Sequence, residues 1–360
     1  MNHPTASQPR ADALPHGAAP VEGDAREMLL EIDRLSMRYP VRSRGFLQPR
    51  QYVHAVNDVS FSLRQGDTLG IVGESGCGKT TLARCILRLH EPTEGRITLR
   101  GRDITHIQGR ELREARRDMQ FVFQDPYASL DPRLRAIELV REPLDALGRM
   151  TRAEADARAL ALLEKVGLSR AQARQFPHQF SGGQRQRIGL ARALALNPRL
   201  VVADEPVSAL DVSVRAQILN LMADLRREFG LSYVIISHDL AIIEHVCDQV
   251  AIVYLGRIVE YGPVEQIFRH PQHPYTRALL ESIPRPDPTR RRRELDILGD
   301  LPNPVSPPPG CAFNPRCPYA QDVCRSTVPA LAERRDAGLP GSHRVACHLA
   351  AELPEAVGVV

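Results

Sequence analysis

One stretch of eight residues, GESGCGKT at positions 73–80, constrains the fold of this chain more than any other feature of the sequence. It lies between a short apolar run, TLGIV at 68–72, and the segment TTLARCILRLH at 80–90. The apolar run is predicted to be a buried strand, and the later segment a helix. A strand that enters a helix through a glycine-rich loop is half of a β-α-β unit, so the stretch predicts an α/β fold.

The second half of the chain repeats this alternation. PRLVVADEP (198–206) and LSYVIISHD (231–239) are apolar, β-branched strands, and an amphipathic helix over 214–229 separates them. Short apolar strands that alternate with helices predict a parallel sheet with both faces covered. The segment VAIVYLGRIVEYG (250–262) predicts a hairpin that turns at Gly256.

The glycine-rich loop matches the pattern G-x-x-x-x-G-K-[ST], which is typical of a site for a nucleoside triphosphate; a chance match is the alternative. Gly76 and Gly78 have no Cβ to keep phosphate oxygens from the backbone amides, and the following helix adds a favourable dipole. Lys79 suits the β- and γ-phosphates and Thr80 suits Mg²⁺. Lys79 is one of only two lysines among 47 basic residues, which indicates that an ammonium is required there. The predicted nucleotide-binding residues are Gly73, Ser75, Gly76, Cys77, Gly78, Lys79, Thr80 and Thr81.

Two acidic residues end the strand LVVADEP. Asp204 is suited to hold Mg²⁺, and Glu205 is placed one residue further on, where it would orient and deprotonate an attacking water. The alternative is that the two acids only cap the strand. Beside a triphosphate-binding loop, the catalytic interpretation is favoured.

The string FSGGQRQR at 180–187 predicts a second anion-binding helix terminus. Ser181 is predicted to cap the helix, and Gly182 and Gly183 open it. A flexible turn is the alternative, but the helix that follows argues against it. Two phosphate-binding termini in one chain are expected if each one serves a different nucleotide.

Along the chain, these motifs occur in the same order as in a known protein family. The glycine-rich loop, FSGGQ (180–184), VVADEP (201–206), SALD (208–211) and SHD (237–239) resemble an ABC-type ATPase, over about residues 28–265. The resemblance implies an α/β P-loop NTPase fold: a mixed sheet core, an antiparallel β-subdomain and an α-helical signature subdomain. It also implies a head-to-tail dimer in which each ATP lies between one chain's P-loop and the other chain's signature helix.

The same resemblance implies roles for individual residues. Gln124, in the loop FVFQDPYASLDPR, would reach the metal and the attacking water. His238 would contact the γ-phosphate, and Asp211 would couple the two sites of the dimer. Tyr39 is predicted to stack on adenine, with Tyr52 as the alternative. The implied catalytic residues are Glu205, His238 and Gln124, the Mg²⁺ ligands are Thr80, Gln124 and Asp204, and the residues facing the partner's nucleotide are Ser181, Gly182, Gly183 and Gln184.

Longer stretches of sequence indicate which subgroup of this family the chain resembles. FPHQFSGGQRQRI and the tail HPQHPYTRALLESIP…GDLPNPVSPPPGCAFNPRCPYA resemble the F-type (OppF/DppF) ATP-binding subunits of bacterial oligopeptide and dipeptide importers. This implies an ATPase at the cytoplasmic face of the inner membrane that energises peptide import. The implied partners are a D-type sister ATPase, two membrane permeases and an extracytoplasmic peptide-binding protein. The alternatives are import of nickel, glutathione or another small solute, and a non-transport ABC ATPase acting on DNA or ribosomes.

Composition limits the other classes. A net charge of +4 is too small to indicate nucleic-acid binding. No stretch approaches the roughly 20 apolar residues of a membrane span, and residues 1–27 lack the hydrophobic run of a signal peptide. We therefore expect a cytosolic chain. The predicted organisation is a disordered tail (1–27), an ABC ATPase domain (28–265) with a helical subdomain at about 125–185, a linker arm rich in Pro and Arg (266–310), a cysteine-containing extension (311–350) and a tail (351–360).

Four cysteines, Cys311, Cys317, Cys324 and Cys347, lie in the extension. A cytosolic location argues against disulfides, which leaves metal ligation or unligated thiols. The spacings alone do not choose between metals. The family resemblance implies a [4Fe–4S] cluster on these four residues, with zinc as the alternative. We expect this segment to be a structural or redox-sensing appendix, remote from the ATP chemistry of Lys79.

Overall fold

A computed structural model describes residues 26–41, 50–283, 299–333 and 343–353 of the chain. In chain order, the strands within them are β1 (Met28–Pro40), β2 (Tyr52–Arg64), β3 (Thr68–Val72), β4 (Glu94–Leu99), β5 (Arg102–Asp103), β6 (Met119–Val122), β7 (Leu200–Asp204), β8 (Ser232–Ser237), β9 (Gln249–Tyr254), β10 (Arg257–Pro263), β11 (Ala332–Glu333) and β12 (Arg344–Val345). The helices are α1 (Lys79–Ile86), α2 (Gly109–Asp118), α3 (Ala136–Leu147), α4 (Arg152–Lys165), α5 (Gly182–Leu194), α6 (Val212–Phe229), α7 (Leu240–Val246), α8 (Val264–Arg269), α9 (Pro274–Glu281) and α10 (Asp322–Ser326).

These strands form two sheets. Strands β2, β1, β4 and β5 make, in that order, an antiparallel sheet. The second sheet has the order β11-β12-β10-β9-β3-β8-β7-β6. Its strands β9, β3, β8, β7 and β6 run parallel, and the pairs formed by β10, β11 and β12 are antiparallel. A mixed sheet beside an antiparallel one confirms the predicted fold class.

The parallel strands are buried on both faces. Every residue of β3, β7 and β8 is buried, because helices α3 to α6 cover one face while α1 and the antiparallel sheet cover the other. Burial of a Val, Leu or Ile side chain contributes about 1.5–3 kcal/mol. The centre of the sheet is therefore a rigid platform for the loops at its edge.

Four of these strands place their carboxyl ends at the same edge of the sheet. The glycine-rich loop follows β3, Gln124 follows β6, Asp204 ends β7 and His238 follows β8. The carboxyl ends of parallel strands face one crevice, where α/β proteins bind their ligands. The topology thus brings four separate sequence motifs together.

The segment between these motifs is helical, as predicted. Helix α4 begins at a capping box: the Thr151 hydroxyl accepts a hydrogen bond from the Glu154 amide (3.3 Å), and the Glu154 carboxylate accepts one from the Thr151 amide (2.8 Å). Helix α5 begins at the FSGGQ string. The helices α3, α4 and α5 pack on one another and join the core of the sheet.

The C-terminal part differs from its prediction. Residues 266–281 are not a linker arm, since they complete α8 and form α9, and Phe268 and Tyr275 are buried in the main core. Residues 284–298, including the four consecutive arginines, lie outside the described residues, as do 1–25 of the predicted tail. The cysteine-containing extension continues the main sheet, because β12 pairs with β10.

None of the helices that the structure describes is both long enough and apolar enough to cross a lipid bilayer.

Candidate active site

The loop between β3 and α1 requires glycine at defined positions. Gly76 and Gly78 have φ angles of 82° and 104°, in the left-handed region that only glycine adopts easily. A Cβ at Gly78 would also lie 1.9 Å from the carbonyl oxygen of Ala55. The loop therefore keeps its shape only with these glycines in place.

The ammonium of Lys79 is buried in this loop. Its Nζ donates to the carbonyl oxygens of Gly73 (2.7 Å) and Glu74 (2.9 Å). Its Nζ also lies 3.9 Å from Cys77 Sγ, and its charge acts on the nearby Asp204 carboxyl, but within the described part of the chain Lys79 makes no ion pair. A buried cation without a carboxylate partner is a ready site for an anion.

The remaining predicted loop residues surround this lysine. The thiol of Cys77 is buried, and burial raises its pKa. Ser75 is exposed at the tip of the loop. Burial raises the pKa of Tyr39, and a hydrogen bond to Thr81 opposes the rise, which places the tyrosine beside the first turn of α1. Tyr52, the alternative aromatic residue, is partly exposed on the neighbouring strand β2.

Asp204 and Thr80 make a site that suits a divalent cation. The Asp204 side chain is buried, and burial raises its pKa, while a hydrogen bond to the Thr80 side chain lowers it. Its Oδ1 atom is buried and has no hydrogen-bond partner among the described residues. Mg²⁺ commonly takes one or two protein oxygens and completes its shell with phosphate and water. The orphaned oxygen and the Thr80 hydroxyl fit that requirement.

Glu205, Gln124 and His238 form a connected group beside Asp204. The Gln124 side-chain amide donates to Glu205 Oε2 (2.9 Å), and His238 Nδ1 lies 3.0 Å from Glu205 Oε1. Both carboxylate oxygens are therefore held, and the side chain is only 17% exposed. A carboxylate fixed in this way can accept a proton from a water molecule at the edge of the sheet.

The signature residues lie elsewhere in the chain. The Ser181 hydroxyl caps α5 by accepting from the Gln184 amide (3.3 Å), and the Gln184 side chain accepts from the Ser181 amide (3.0 Å). These bonds stay within the first turn of α5, where Ser181 is exposed and Gly183 is buried against α6. Asp211 stands at the N-terminus of α6. Thus one chain places Gln124, Asp204, Glu205 and His238 at the sheet edge that carries the P-loop, whereas the bonds between Ser181 and Gln184 stay within α5.

Sequence reasoning missed a contact between the extension and the P-loop. Arg316 Nη1 lies 3.1 Å from both carboxylate oxygens of Glu74, and the Tyr275 hydroxyl accepts a hydrogen bond from the Glu74 amide (3.0 Å). Glu74 is the second residue of the GESGCGKT loop. The expectation that the extension is remote from the ATP chemistry of Lys79 is therefore wrong. The loop and Arg316 are 242 positions apart, and no local pattern links them.

The four cysteines of the extension are neighbours. The Cys311 amide donates to the carbonyl oxygen of Cys324 (2.8 Å). Burial raises the pKa of both Cys311 and Cys317 to about 11, and the charges of Cys347 and Cys324 act in the same direction. Although the four cysteines are close in space, their thiols are not arranged as metal ligands. Within the described ranges, no three Cys, His, Asp or Glu side chains are grouped so that they could hold a metal ion.

Two protein families match this sequence. The family described as "ABC transporter" matches residues 56–208. The family described as "Oligopeptide/dipeptide transporter, C-terminal region" matches residues 259–324, which include α8, α9 and three of the extension's cysteines.

Similar proteins extend these matches over most of the chain. A probable peptide ABC transporter ATP-binding protein of Sinorhizobium fredii is 51% identical over 325 residues, covering 90% of this chain and 91% of its own length. The oligopeptide transport ATP-binding protein AppF of Bacillus subtilis is 46% identical, covering 90% and 98%. The dipeptide transport ATP-binding protein DppF of Haemophilus influenzae is 50% identical, covering 86% and 95%.

Among solved structures, the dimeric ATP-binding cassette MJ0796, bound to ADP and Pi in a post-hydrolysis state, is similar to this chain. Its TM-score is 0.58 at 30% identity, and the match covers 66% of this chain and 99% of the cassette.

Proposed function

This chain belongs to the family of ATP-binding subunits of peptide ABC transporters, and on that premise we propose that it hydrolyses ATP to drive peptide import through separate membrane permeases. The observation that carries the proposal is the placement of the Lys79 loop at the same edge of the sheet as the hydrogen-bonded group formed by Glu205, Gln124 and His238. Support for peptide as the cargo comes from the named relatives and from the match of the C-terminal region. Import of nickel, glutathione or another small solute is the alternative outcome.

The proposed reaction is attack of water on the γ-phosphorus of ATP. An oxygen–phosphorus bond forms to the water while the bond from the γ-phosphorus to the bridging oxygen breaks, which releases ADP and phosphate. Glu205 orients the water and accepts its proton, with Gln124 and His238 fixing the carboxylate. Lys79 and the loop amides stabilise the negative charge on the phosphates. When bound at Thr80 and Asp204, Mg²⁺ would supply further positive charge to the phosphate oxygens.

Among the described residues, the bonds between Ser181 and Gln184 stay within the first turn of α5 and do not involve the P-loop, which supports a dimer. A chain that builds only half of each site needs a second chain to present Ser181, Gly183 and Gln184 to its nucleotide. The similar cassette MJ0796, at 30% identity, is a dimer with ADP and Pi bound, which also supports this proposal. We propose a D-type sister ATPase as the second chain, in a head-to-tail dimer in which Asp211 helps couple the sites.

The remaining partners follow from the proposed cycle. ATP binding would close the dimer and move helices of two membrane permeases, and hydrolysis would reopen it. An extracytoplasmic peptide-binding protein would deliver the cargo, and this subunit would sit at the cytoplasmic face of the inner membrane. We propose no nucleic-acid partner.

We also propose that Cys311, Cys317, Cys324 and Cys347 bind a [4Fe–4S] cluster, with zinc as the alternative. Their mutual proximity supports this proposal, whereas the described positions of the side chains are not those of metal ligands. No step of ATP hydrolysis depends on them. Anaerobic purification followed by iron, sulfide and zinc analysis tests the proposal, and metal-free protein that folds normally would contradict it.

Purification of the tagged chain from membranes tests the transporter assignment. We expect two permeases and a second ATPase to co-purify, and ATP hydrolysis by the reconstituted complex to rise with peptide and with the binding protein. Stimulation by nickel or glutathione instead would replace peptide as the cargo. Co-purification of DNA or ribosomes without permeases would refute a role in transport.

The Glu205→Gln variant tests the catalytic assignment. Loss of the proton acceptor is expected to lower ATP turnover by the complex on the order of 10²–10⁴-fold, while ATP binding is retained. Glu91→Gln is a matched control, because Glu91 is exposed and pairs with His106 at the surface (2.9 Å). Full turnover in Glu205→Gln, measured as phosphate release, would refute the role of this residue.

A further inference from the structure

Glu74, inside the P-loop, is held from two directions. Its carbonyl oxygen accepts a hydrogen bond from Lys79 Nζ (2.9 Å), which belongs to the same loop. Its amide donates to the Tyr275 hydroxyl (3.0 Å), and both of its carboxylate oxygens lie 3.1 Å from Arg316 Nη1. Tyr275 and Arg316 come from the C-terminal part of the chain. The turn that holds the phosphate-binding lysine is therefore anchored by residues far away in sequence.

The guanidinium of Arg316 is rigidly placed. Its side chain is 9% exposed, against 28% for Glu74, and Nη1 also lies 3.4 Å from the Tyr254 hydroxyl. Phe313, three residues earlier, packs with its ring centroid 5.2 Å from that of Tyr254 and 5.5 Å from that of Tyr275. These buried aromatic contacts fix the segment that carries the arginine.

The charge of Glu74 poses a problem for a triphosphate site. A carboxylate in the loop that binds phosphate repels the ligand, and the repulsion is stronger at this partly buried side chain, which is 28% exposed, than in bulk water. Arg316 neutralises that carboxylate and keeps it turned toward the extension. Tyr275 and Lys79 fix the backbone of the same residue, so the three contacts act on one turn.

We propose that Arg316 is a positioning residue for ATP, through which the C-terminal extension sets the nucleotide affinity of the P-loop by neutralising and holding Glu74. The inference rests on the proposed function, because it takes the P-loop as the ATP site. It does not require any metal at the cysteines. It makes the extension part of the nucleotide site rather than an independent appendix.

The test measures binding of a fluorescent ATP analogue, with Mg²⁺, to the full-length chain, together with KM and kcat of the assembled complex. In Arg316→Gln, we expect the Kd and KM for nucleotide to rise on the order of three- to tenfold, as for one uncompensated charge at short range, with a smaller change in kcat. Arg316→Lys keeps the charge and should recover most of the affinity. Arg325→Gln is the matched control, since Arg325 is exposed in the same segment and pairs with Asp322 at the surface.

A double variant separates electrostatics from packing. Arg316→Gln combined with Glu74→Gln removes both charges, so we expect its Kd to return to within about twofold of the wild type. If the double variant binds no better than Arg316→Gln, or if Arg316→Gln binds as the Arg325→Gln control does, the proposal is wrong.

Glu74→Gln alone keeps the proposal testable if Arg316→Gln does not fold. This variant leaves Arg316 as an uncompensated cation beside the loop, so we expect tighter nucleotide binding than in the wild type. Unchanged or weaker binding by folded Glu74→Gln would overturn the proposal. Failure of the wild-type chain itself to bind ATP would instead refute the proposed function.

Discussion

Glu205 adopts a left-handed backbone conformation, with φ 45°, at the point where β7 ends. A residue with a Cβ costs on the order of 1–3 kcal/mol in this region. Its amide donates to the Ile236 carbonyl oxygen (2.9 Å), and its carboxylate is held by Gln124 and His238. The neighbours therefore keep a strained residue in place, and the strain aims the carboxylate away from the sheet and into the site.

Asp204, at the same strand end, also destabilises the fold, because its carboxylate is buried. Burial raises its pKa above the ordinary value of 3.8, because the charged form loses its hydration. A carboxyl group with a raised pKa contributes most stability below pH 3.8, where it is protonated in both states. That contribution is lost as the pH rises through the raised pKa, so at neutral pH the ionised group destabilises the fold.

Asp204→Asn is therefore expected to stabilise the nucleotide-free chain at pH 7–8 by on the order of 1–2 kcal/mol. The asparagine still accepts a bond from Thr80 but needs no counter-charge. The gain in the free energy of unfolding should shrink as the pH falls through the raised pKa of Asp204 toward 3.8, and Mg²⁺-dependent ATP turnover should be lost. Urea unfolding without nucleotide, as a function of pH, measures the gain. Asp33→Asn, at an exposed site, is the control, and equal stability of the Asp204→Asn and wild-type chains would contradict the argument.

At the scale of elements, α5 and α6 approach each other unusually closely at the signature string. A Cβ at Gly183 would lie 2.5 Å from Val214 Cγ1 on α6. Val214 is β-branched and has little freedom to move aside in a helix. Gly189, two turns further along α5, has nothing within 4 Å of its Cβ position. Helix packing therefore requires glycine at position 183, whereas position 189 has room for a larger side chain.

These two glycines give a matched prediction. Gly183→Ala should lower the free energy of unfolding by about 1–3 kcal/mol, because overpacking forces α5 and α6 apart. Gly189→Ala should raise it by about 0.5–1 kcal/mol, because alanine is the better helix former. Chemical denaturation of both variants measures the difference. A destabilised Gly189→Ala together with an unaffected Gly183→Ala would show that α5 and α6 do not pack closely at Gly183.

Elements with local signals could be predicted from the sequence. The hairpin between β9 and β10 turns at Leu255 and Gly256, both with positive φ (45° and 76°). Gly256 made this turn predictable, because glycine adopts positive φ easily. Helices α8 and α9 were missed because HPQHPYT, with its prolines and histidines, resembles an irregular arm. Both helices are short, so burial of Phe268 and Tyr275 rather than helix propensity holds them.

At the scale of the whole molecule, the candidate site likewise combines residues that local sequence patterns predict with contacts that only the tertiary structure reveals. Lys79, Asp204 and Glu205 could be placed because each ends or follows a recognisable strand, and parallel strand ends converge. The pairing of Arg316 with Glu74 could not, because 47 basic and 43 acidic residues allow many partners and composition does not choose among them. Long-range ion pairs depend on the docking of whole segments.

The extension docks through a buried carboxylate on β10. Glu260 is fully buried, and its Oε1 accepts from the Gln272 amide (2.7 Å) and lies 2.7 Å from His343 Nε2. Its Oε2 accepts from the His273 amide (3.0 Å). One side chain therefore joins the loop before α9 to the residue that leads into β12. His273 also packs against Phe313, with ring centroids 5.7 Å apart, so this junction supports the segment that carries Arg316.

His343→Ala is expected to lower the free energy of unfolding by about 1–3 kcal/mol, because it removes one of the two hydrogen-bond partners of the buried Glu260 Oε1 and leaves only the Gln272 amide of the two described. His348→Ala is the matched control, since His348 lies in the same segment but bonds the Thr327 carbonyl oxygen at the surface (2.9 Å), and its loss should cost within about 0.5 kcal/mol. Limited proteolysis should then cut the extension of His343→Ala before the ATPase core, whereas His348→Ala should resist like the wild type. Equal protease resistance and stability in the two variants would show that Glu260 does not hold the extension. Loosened docking should also weaken nucleotide binding, because Arg316 reaches Glu74 only from a docked extension.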